Sequence, residues 1–199
     1  FKLSNFLFIP SPTTEHIVEE VINIIPTLWS YNLLDIGTGS GCLILSIILE
    51  REKIYGTALD ISKKAINIAT YNAKIQHIQN RIKFINSNID KFYLGKYDLI
   101  ISNPPYIKNC KINYLDDDVK LYEPKVALDG GIDGYSEIKK VIKKSSELLK
   151  TKGKLVLEIG DKQKSFTNII LKKNGIYINK IVKDLAKKYK WITDYYKNQ

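Results

Sequence analysis

Apolar positions along this chain follow two alternating rhythms. Short runs rich in Ile, Leu, Val and Tyr are separated by longer stretches in which apolar residues recur near i, i+3 and i+4. The runs predict strands over residues 32–36, 54–59, 82–86, 97–102, 154–159, 176–182 and 190–195. The stretches between them predict helices over residues 41–50, 62–74, 136–150 and 163–173. Runs such as Leu99-Ile100-Ile101 are apolar at consecutive positions, which suits strands covered on both faces. Alternation of such strands with helices predicts a parallel sheet with helices on both sides, a doubly wound α/β fold of seven strands.

Ahead of the first strand, Thr13 and Thr14 are placed to cap a helix over residues 15–25, because a Thr hydroxyl accepts an orphaned N–H of a first turn. Pro26 closes that helix. Residues 1–9 read as a short β-hairpin or extended arm turning at Ser4-Asn5, after which Pro10 and Pro12 stop any strand. The expected organisation is an arm and linker over residues 1–14 and a catalytic domain over residues 15–199.

Composition narrows the picture without redirecting it. At 199 residues, 44% of them hydrophobic and 26% charged, the chain suits one globular core. Its most apolar stretch, residues 43–49, ends at Glu50-Arg51-Glu52, short of the roughly 18 apolar residues of a membrane span, so no membrane partner is expected. No signal peptide is expected either. Cys42 and Cys110 lack CxxC spacing and a histidine cluster, which predicts no metal site, no disulfide framework and a cytoplasmic setting. The formal charge of +10 has two readings, an affinity for nucleic acid or a compositional bias toward Lys, Asn and Ile. The chain has no Met and starts at Phe1, so a longer parent protein is expected.

The first chemistry-bearing segment is Leu33-Leu34-Asp35-Ile36-Gly37-Thr38-Gly39-Ser40-Gly41, an apolar strand that enters a glycine-rich turn and then a helix. Without Cβ atoms a backbone approaches a nucleotide closely, and Asp60, closing the next strand, is placed to accept hydrogen bonds from ribose hydroxyls. A bare strand-to-helix turn would also use these glycines, so the order strand, turn, helix, strand, Asp60 carries the reading. The third glycine comes one position too early for the dinucleotide fingerprint G-x-G-x-x-G, which disfavours a nicotinamide cofactor.

The second segment is Asn103-Pro104-Pro105-Tyr106, directly after the strand over residues 97–102 and therefore at the sheet edge where open α/β folds bind ligands. Two prolines fix φ and lack N–H groups, leaving a rigid run of carbonyl acceptors. Such an array suits a planar NH₂ group. The Asn103 side-chain oxygen and the Pro104 carbonyl each accept one N–H, and the Tyr106 ring packs on the planar acceptor. Read alone, Asn-Pro-Pro-Tyr is a loop with a half-buried ring; its place after a cofactor-type turn argues for more.

The turn at Gly37, Thr38, Gly39, Ser40 and Gly41 resembles the first motif of the class I S-adenosylmethionine methyltransferases. The resemblance implies a Rossmann-like fold and S-adenosyl-L-methionine as cofactor, leaving as S-adenosyl-L-homocysteine. It implies that the turn contacts the methionine part and that Asp60 holds the ribose. Within Ser87-Asn88-Ile89-Asp90, Ile89 is the apolar contact of the adenine and Asn88 the polar one, and Asn103 reaches the cofactor from the acceptor side. The tetrapeptide from Asn103 resembles those of methyltransferases acting on adenine N6, on the guanine exocyclic nitrogen of ribosomal RNA and on protein glutamine.

Other segments separate these groups. Phe8-Ile9-Pro10-Ser11-Pro12-Thr13-Thr14-Glu15 resembles the F-x-P-R-P-E-T-E segment of the peptide-chain release factor N5-glutamine methyltransferases. Residues 122–134 resemble that family's E-P-x-x-A-L-x-G-G-x-D-G run, and Leu157-Glu158-Ile159-Gly160 with Gln163, then Asp184-Leu185-Ala186, continue the similarity. Ser11 stands where the family usually has Arg, and Thr13 where it has Glu or Asp. The resemblance implies methylation of the glutamine amide in the Gly-Gly-Gln motif of a release factor, bound by Asn103, Pro104, Pro105 and Tyr106. It also implies a helical N-terminal domain that this chain does not include; a monomer, and a release factor met free or at the ribosome, are expected besides. The competing reading is an adenine or guanine N-methyltransferase of DNA or ribosomal RNA, which the charge favours and the lack of a nucleic-acid-binding module opposes. A non-catalytic binding module would explain Ser11 and Thr13 but not the intact turn, Asp60 and tetrapeptide.

Overall fold

The computed structural model describes residues 12–104, 135–160, 163–183 and 189–197. Among them the strands are β1 (Tyr31–Ile36), β2 (Ile54–Asp60), β3 (Ile82–Asn86), β4 (Tyr97–Ser102), β5 (Leu149–Glu158), β6 (Ile176–Lys183) and β7 (Tyr189–Lys197). The helices are α1 (Pro12–Ile24), α2 (Cys42–Glu50), α3 (Lys63–Ile75), α4 (Ser136–Leu148) and α5 (Lys164–Lys173). The strands form one sheet in the order β3-β2-β1-β4-β5-β7-β6. β1 to β5 are mutually parallel, whereas β7 runs antiparallel to both β5 and β6.

Consecutive apolar residues in the strands bury both faces of this sheet. Leu33, Leu99, Ile101 and Val156 belong to a core shared with α1, α2 and α3 through Ile17, Val21, Leu43, Ile44, Ile48 and Ala73. Their neighbours Leu34, Ile100, Leu155 and Leu157 face the other way, into a core with Ile138, Val141 and Ile142 of α4 and Leu171 of α5. Each such side chain, fully removed from water, contributes about 1.5–3 kcal/mol. In α2 Leu43, Ile44, Leu45, Ile47 and Ile48 are all buried, because α1 covers the side of the helix that the sheet leaves open.

Most element ends fall within two residues of the sequence expectation, and two starts differ by three or more. α1 begins at Pro12, so Thr13 and Thr14 lie inside its first turn rather than ahead of it, and the expected boundary after residue 14 falls within the helix. Proline suits the first helical position, where its missing N–H would have had no helical partner. β5 begins at Leu149, directly after α4, five residues ahead of the expected start at Lys154. The helix expected to run to Lys150 ends at Leu148, and Lys150-Thr151-Lys152-Gly153 form an irregularity within the strand: Tyr97 pairs with Leu149 and Leu99 with Lys154. Lys152 takes φ 62° there, and the Lys150 amine lies 2.9 and 2.8 Å from the two Asp98 carboxylate oxygens.

The chain runs from β1 outward to β3, then returns to β4 on the other side of β1. The sheet therefore reverses direction between β1 and β4. α2, which follows β1, packs on one face of the sheet, and α4, the next described helix after β4, packs on the other; in open α/β sheets the carboxyl ends of strands at such a reversal form the crevice that binds ligands. Ile36 and Ser102 are paired at that end, so residues 37 and 103 emerge from adjacent strands.

Candidate functional site

The turn over residues 37–41 lies on one side of the crevice. Gly37, Gly39 and Gly41 have φ of 76°, 55° and 82°, in the left-handed region that L side chains rarely adopt. Among the described residues, Cβ atoms built on Gly37 and Gly39 meet nothing within 4 Å, so open space faces the backbone there at both positions. At Gly41 a Cβ would lie 3.0 Å from Ala69 of α3, which makes this glycine a packing requirement as well. The turn is tied to β2: the N–H groups of Gly37 and Thr38 donate to the Leu59 carbonyl at 2.8 and 3.0 Å.

Asp60 stands where β2 ends. One carboxylate oxygen accepts the Gly39 N–H at 2.9 Å and the other accepts the Ser62 N–H at 2.8 Å, so the group is fixed in orientation and half-buried. The Asn86 side chain donates to the carbonyls of Asp60 and Ile61, joining the ends of β2 and β3. Beyond β3 the expected loop is a 3₁₀ turn over Ile89–Lys91. Asn88 caps it by accepting the Asp90 N–H at 2.8 Å, so the Asn88 side chain has a local structural partner. Ile89 is partly buried against the core that includes Leu34 and Leu59.

On the other side of the crevice β4 delivers Asn103 and Pro104. Asn103 is exposed and Pro104 buried. The Ser102 hydroxyl beneath them donates to the Ile36 carbonyl at 2.8 Å, tying the strand that precedes the glycine turn to the strand that precedes Asn103. The structure thus brings Gly37, Thr38, Gly39, Ser40, Gly41, Asp60, Asn103 and Pro104 to one edge of the sheet, with Ile89 on the next loop along. Pro105, Tyr106 and residues 122–134 lie outside the described residues, as do Phe8 to Ser11 and Asp184 to Ala186.

Several residues at this edge escaped sequence reasoning. Asp35, 2% exposed, accepts the Thr38 hydroxyl at 2.7 Å and is also hydrogen-bonded by the backbone of Ile44. Gly41 occupies the N-cap of α2 and has no side chain to cap with, so Asp35 reaches across from β1 to satisfy the third residue of the helix. Burial above all, and then the Asp60 charge, push the Asp35 carboxyl up to about 7, against the opposing effect of its hydrogen bonds. An acid two residues ahead of a glycine turn was the available signal. Burial, and then the charge of Asp35, push the Cys42 thiol up as well. Ile61, next to Asp60, is 61% exposed and offers apolar surface to the crevice.

Among the described residues no group of three or more His, Cys, Asp or Glu is arranged to hold a metal, and no helix is long and apolar enough to cross a membrane.

A family described as "Methyltransferase domain" matches residues 30–197. The release factor glutamine methyltransferase of Fusobacterium nucleatum is 40% identical over 188 residues, which span 92% of this chain and 52% of that protein. The protein of the same name from Thermodesulfovibrio yellowstonii is 33% identical over 187 residues, 93% of this chain and 67% of its own length. The chain spans about half to two thirds of these curated relatives. Among solved structures, the ribosomal protein L11 methylase of Lactobacillus delbrueckii superposes with a TM-score of 0.70 at 18% identity, over 94% of this chain and 80% of that one. A magnesium protoporphyrin IX methyltransferase from Synechocystis, solved with bound S-adenosylmethionine, gives 0.64 at 18% identity, over 94% and 78%. At these identities the structural likeness concerns the fold.

Proposed function

The chain belongs to the release factor glutamine methyltransferase family of methyltransferase domains, and from that premise we propose that it methylates the glutamine side-chain amide of the Gly-Gly-Gln motif in a peptide chain release factor. The observation that carries the reading is the pairing of Ile36 with Ser102, which sets the glycine turn and Asn103 side by side at the point where the sheet reverses.

S-adenosylmethionine fits the residues present. The open space over Gly37 and Gly39 admits the methionine part, the fixed Asp60 carboxylate suits ribose hydroxyls, and exposed Ile61 with Ile89 suits the faces of an adenine. The Asp60 carboxylate favours a ligand of positive charge. When bound, S-adenosylmethionine supplies an electrophilic methyl group on a sulfonium.

The chain's own residues then address a poor nucleophile. An amide nitrogen delocalises its lone pair into its carbonyl, so orientation and stabilisation of developing charge must do most of the work. The Asn103 side-chain oxygen and the Pro104 carbonyl each accept one amide N–H, aim the nitrogen at the methyl group and favour the positive charge that builds on it. Pro105 keeps that stretch rigid, and Tyr106 packs its ring against the planar acceptor. No strong base is required, because the N–H becomes acidic only as the N–C bond forms. The products are N5-methylglutamine, S-adenosyl-L-homocysteine and one proton, which the amide nitrogen releases to water. On this reading the protein works in the cytoplasm as a monomer, with the release factor, free or ribosome-bound, as its protein partner.

Incubation with methyl-labelled S-adenosylmethionine and release factor is expected to label the glutamine of Gly-Gly-Gln, and a factor with that glutamine replaced should take up no label. Label on DNA or ribosomal RNA alone would overturn the reading.

A further inference from the structure

α3 stands directly behind the glycine turn. Ala69 and Asn72, three residues apart on one helical face, both point toward it, and both are buried. Ala69 sets the distance of closest approach to Gly41. Asn72, 7% exposed, donates from its side-chain nitrogen to the Ser40 carbonyl at 3.0 Å. The opposite amide orientation would set oxygen against oxygen, so the donor assignment is chemically determined.

This hydrogen bond acts on one particular peptide unit. The Gly41 N–H donates to the Thr38 carbonyl at 2.8 Å, and the Ser40 carbonyl accepts from Asn72, so the Ser40–Gly41 peptide is held at both ends. A peptide between a serine and a left-handed glycine rotates at little steric cost, which makes such anchoring necessary. The N–H groups of Gly37, Thr38, Gly39 and Gly41 are all engaged within the protein. The Ser40 N–H has no partner among the described residues and is the one left in the turn for a ligand.

We propose that Asn72 is a positioning residue for the cofactor, whose side-chain amide fixes Ser40 in the conformation that receives the methionine part of S-adenosylmethionine. The assignment rests on the cofactor reading above. Asn72 is buried behind the turn and acts through the Ser40 carbonyl, so its removal should be felt in cofactor affinity, not in the chemistry at the amide nitrogen.

The test is calorimetric titration of S-adenosylhomocysteine into the wild type and into Asn72→Leu, which keeps volume and loses the donor. Acceptor KM and kcat at saturating cofactor are measured alongside. The dissociation constant is expected to rise about tenfold, or about 1.4 kcal/mol, with acceptor KM and kcat within twofold of wild type. A role confined to holding the fold would lower the melting temperature and leave the dissociation constant of the folded protein unchanged. Should Asn72→Leu fail to fold, Asn72→Ala, a small and helix-compatible replacement, takes the same measurements. A dissociation constant within twofold of wild type in the folded variant overturns the role of Asn72 alone. A wild-type chain that binds no S-adenosylhomocysteine overturns the cofactor reading together with it.

Discussion

The Ser102 hydroxyl donates to the Ile36 carbonyl at 2.8 Å, across 66 positions of sequence and in a buried setting. Each of the two residues is the last of its strand, and the residue after each, Gly37 or Asn103, belongs to a different half of the site. One hydrogen bond therefore sets the spacing between the turn assigned to the cofactor and the tetrapeptide assigned to the acceptor. Ser102→Ala should lower stability by about 1 kcal/mol, the usual worth of a buried neutral hydrogen bond. It should lower turnover more than it lowers the affinity of either ligand alone, because alignment between them is what loosens. Urea unfolding and steady-state kinetics on the same preparation check this, and unchanged kcat would sever Ser102 from alignment.

Asn103 is exposed at the end of β4, so its truncation leaves the core intact. Asn103→Ala is expected to reduce kcat by roughly 100-fold or more, the scale on which loss of one preorganised polar group acts on a transition state. S-adenosylhomocysteine affinity should stay within a few fold. Single-turnover methylation with separate cofactor titration distinguishes the two. Retained turnover would remove Asn103 from the chemistry.

Gly41 combines a left-handed backbone with a tight neighbour. At φ 82° a side chain is strained, and its Cβ would lie 3.0 Å from Ala69 Cβ and 3.2 Å from Leu45. Gly41→Ala should cost about 1–3 kcal/mol of stability and weaken cofactor binding, because α3 cannot recede without releasing Asn72 from Ser40. Gly39→Ala meets open space and should show the backbone cost with little of the packing cost. Equal melting temperatures for the two variants would contradict this division.

Legibility from sequence followed the range of the interactions. Strands with consecutive apolar residues and a turn with three glycines are local patterns, and β3 and β4 have the ends that their patterns predict. Positions that matter through distant partners carried no local mark. Asn72 in mid-helix reads as a solvated polar residue, and only folding brings it to Ser40, 32 residues away. Ser102 reads as the polar end of an apolar run. The start of β5 is obscured because Leu149 and Lys150 read as the last turn of the helix expected over residues 136–150, whereas Asp98 pairing with Lys150 and burial of Leu149 put that stretch in the sheet. The helix start at Pro12 was missed because two threonines offer a plausible cap, and a proline at the first helical position competes with it on equal local terms.

Asp35 gives the molecule a distinctive dependence on pH. Its carboxyl, ordinarily near 3.8, is pushed up to about 7 by burial, with Asp60 adding to the effect and the hydrogen bonds from Thr38 and Ile44 opposing it. The neutral form is thus favoured in the folded state. Its stabilising contribution is complete below about 3.8, where both states hold the proton. Between about 3.8 and 7 the unfolded chain releases the proton while the folded one keeps it, so this contribution falls as pH rises and is lost above about 7. Asparagine is neutral at every pH and keeps a carbonyl oxygen to accept from Thr38. Relative to wild type, Asp35→Asn should therefore gain stability as pH rises from 5 to 7, by up to about 1.4 kcal/mol per pH unit. Taking the difference between the two proteins cancels the opposite contributions of other carboxylates. Urea unfolding of both at pH 5, 6, 7 and 8 measures it, and a difference that stays constant across that range would show that Asp35 is already ionised in the folded protein at pH 5.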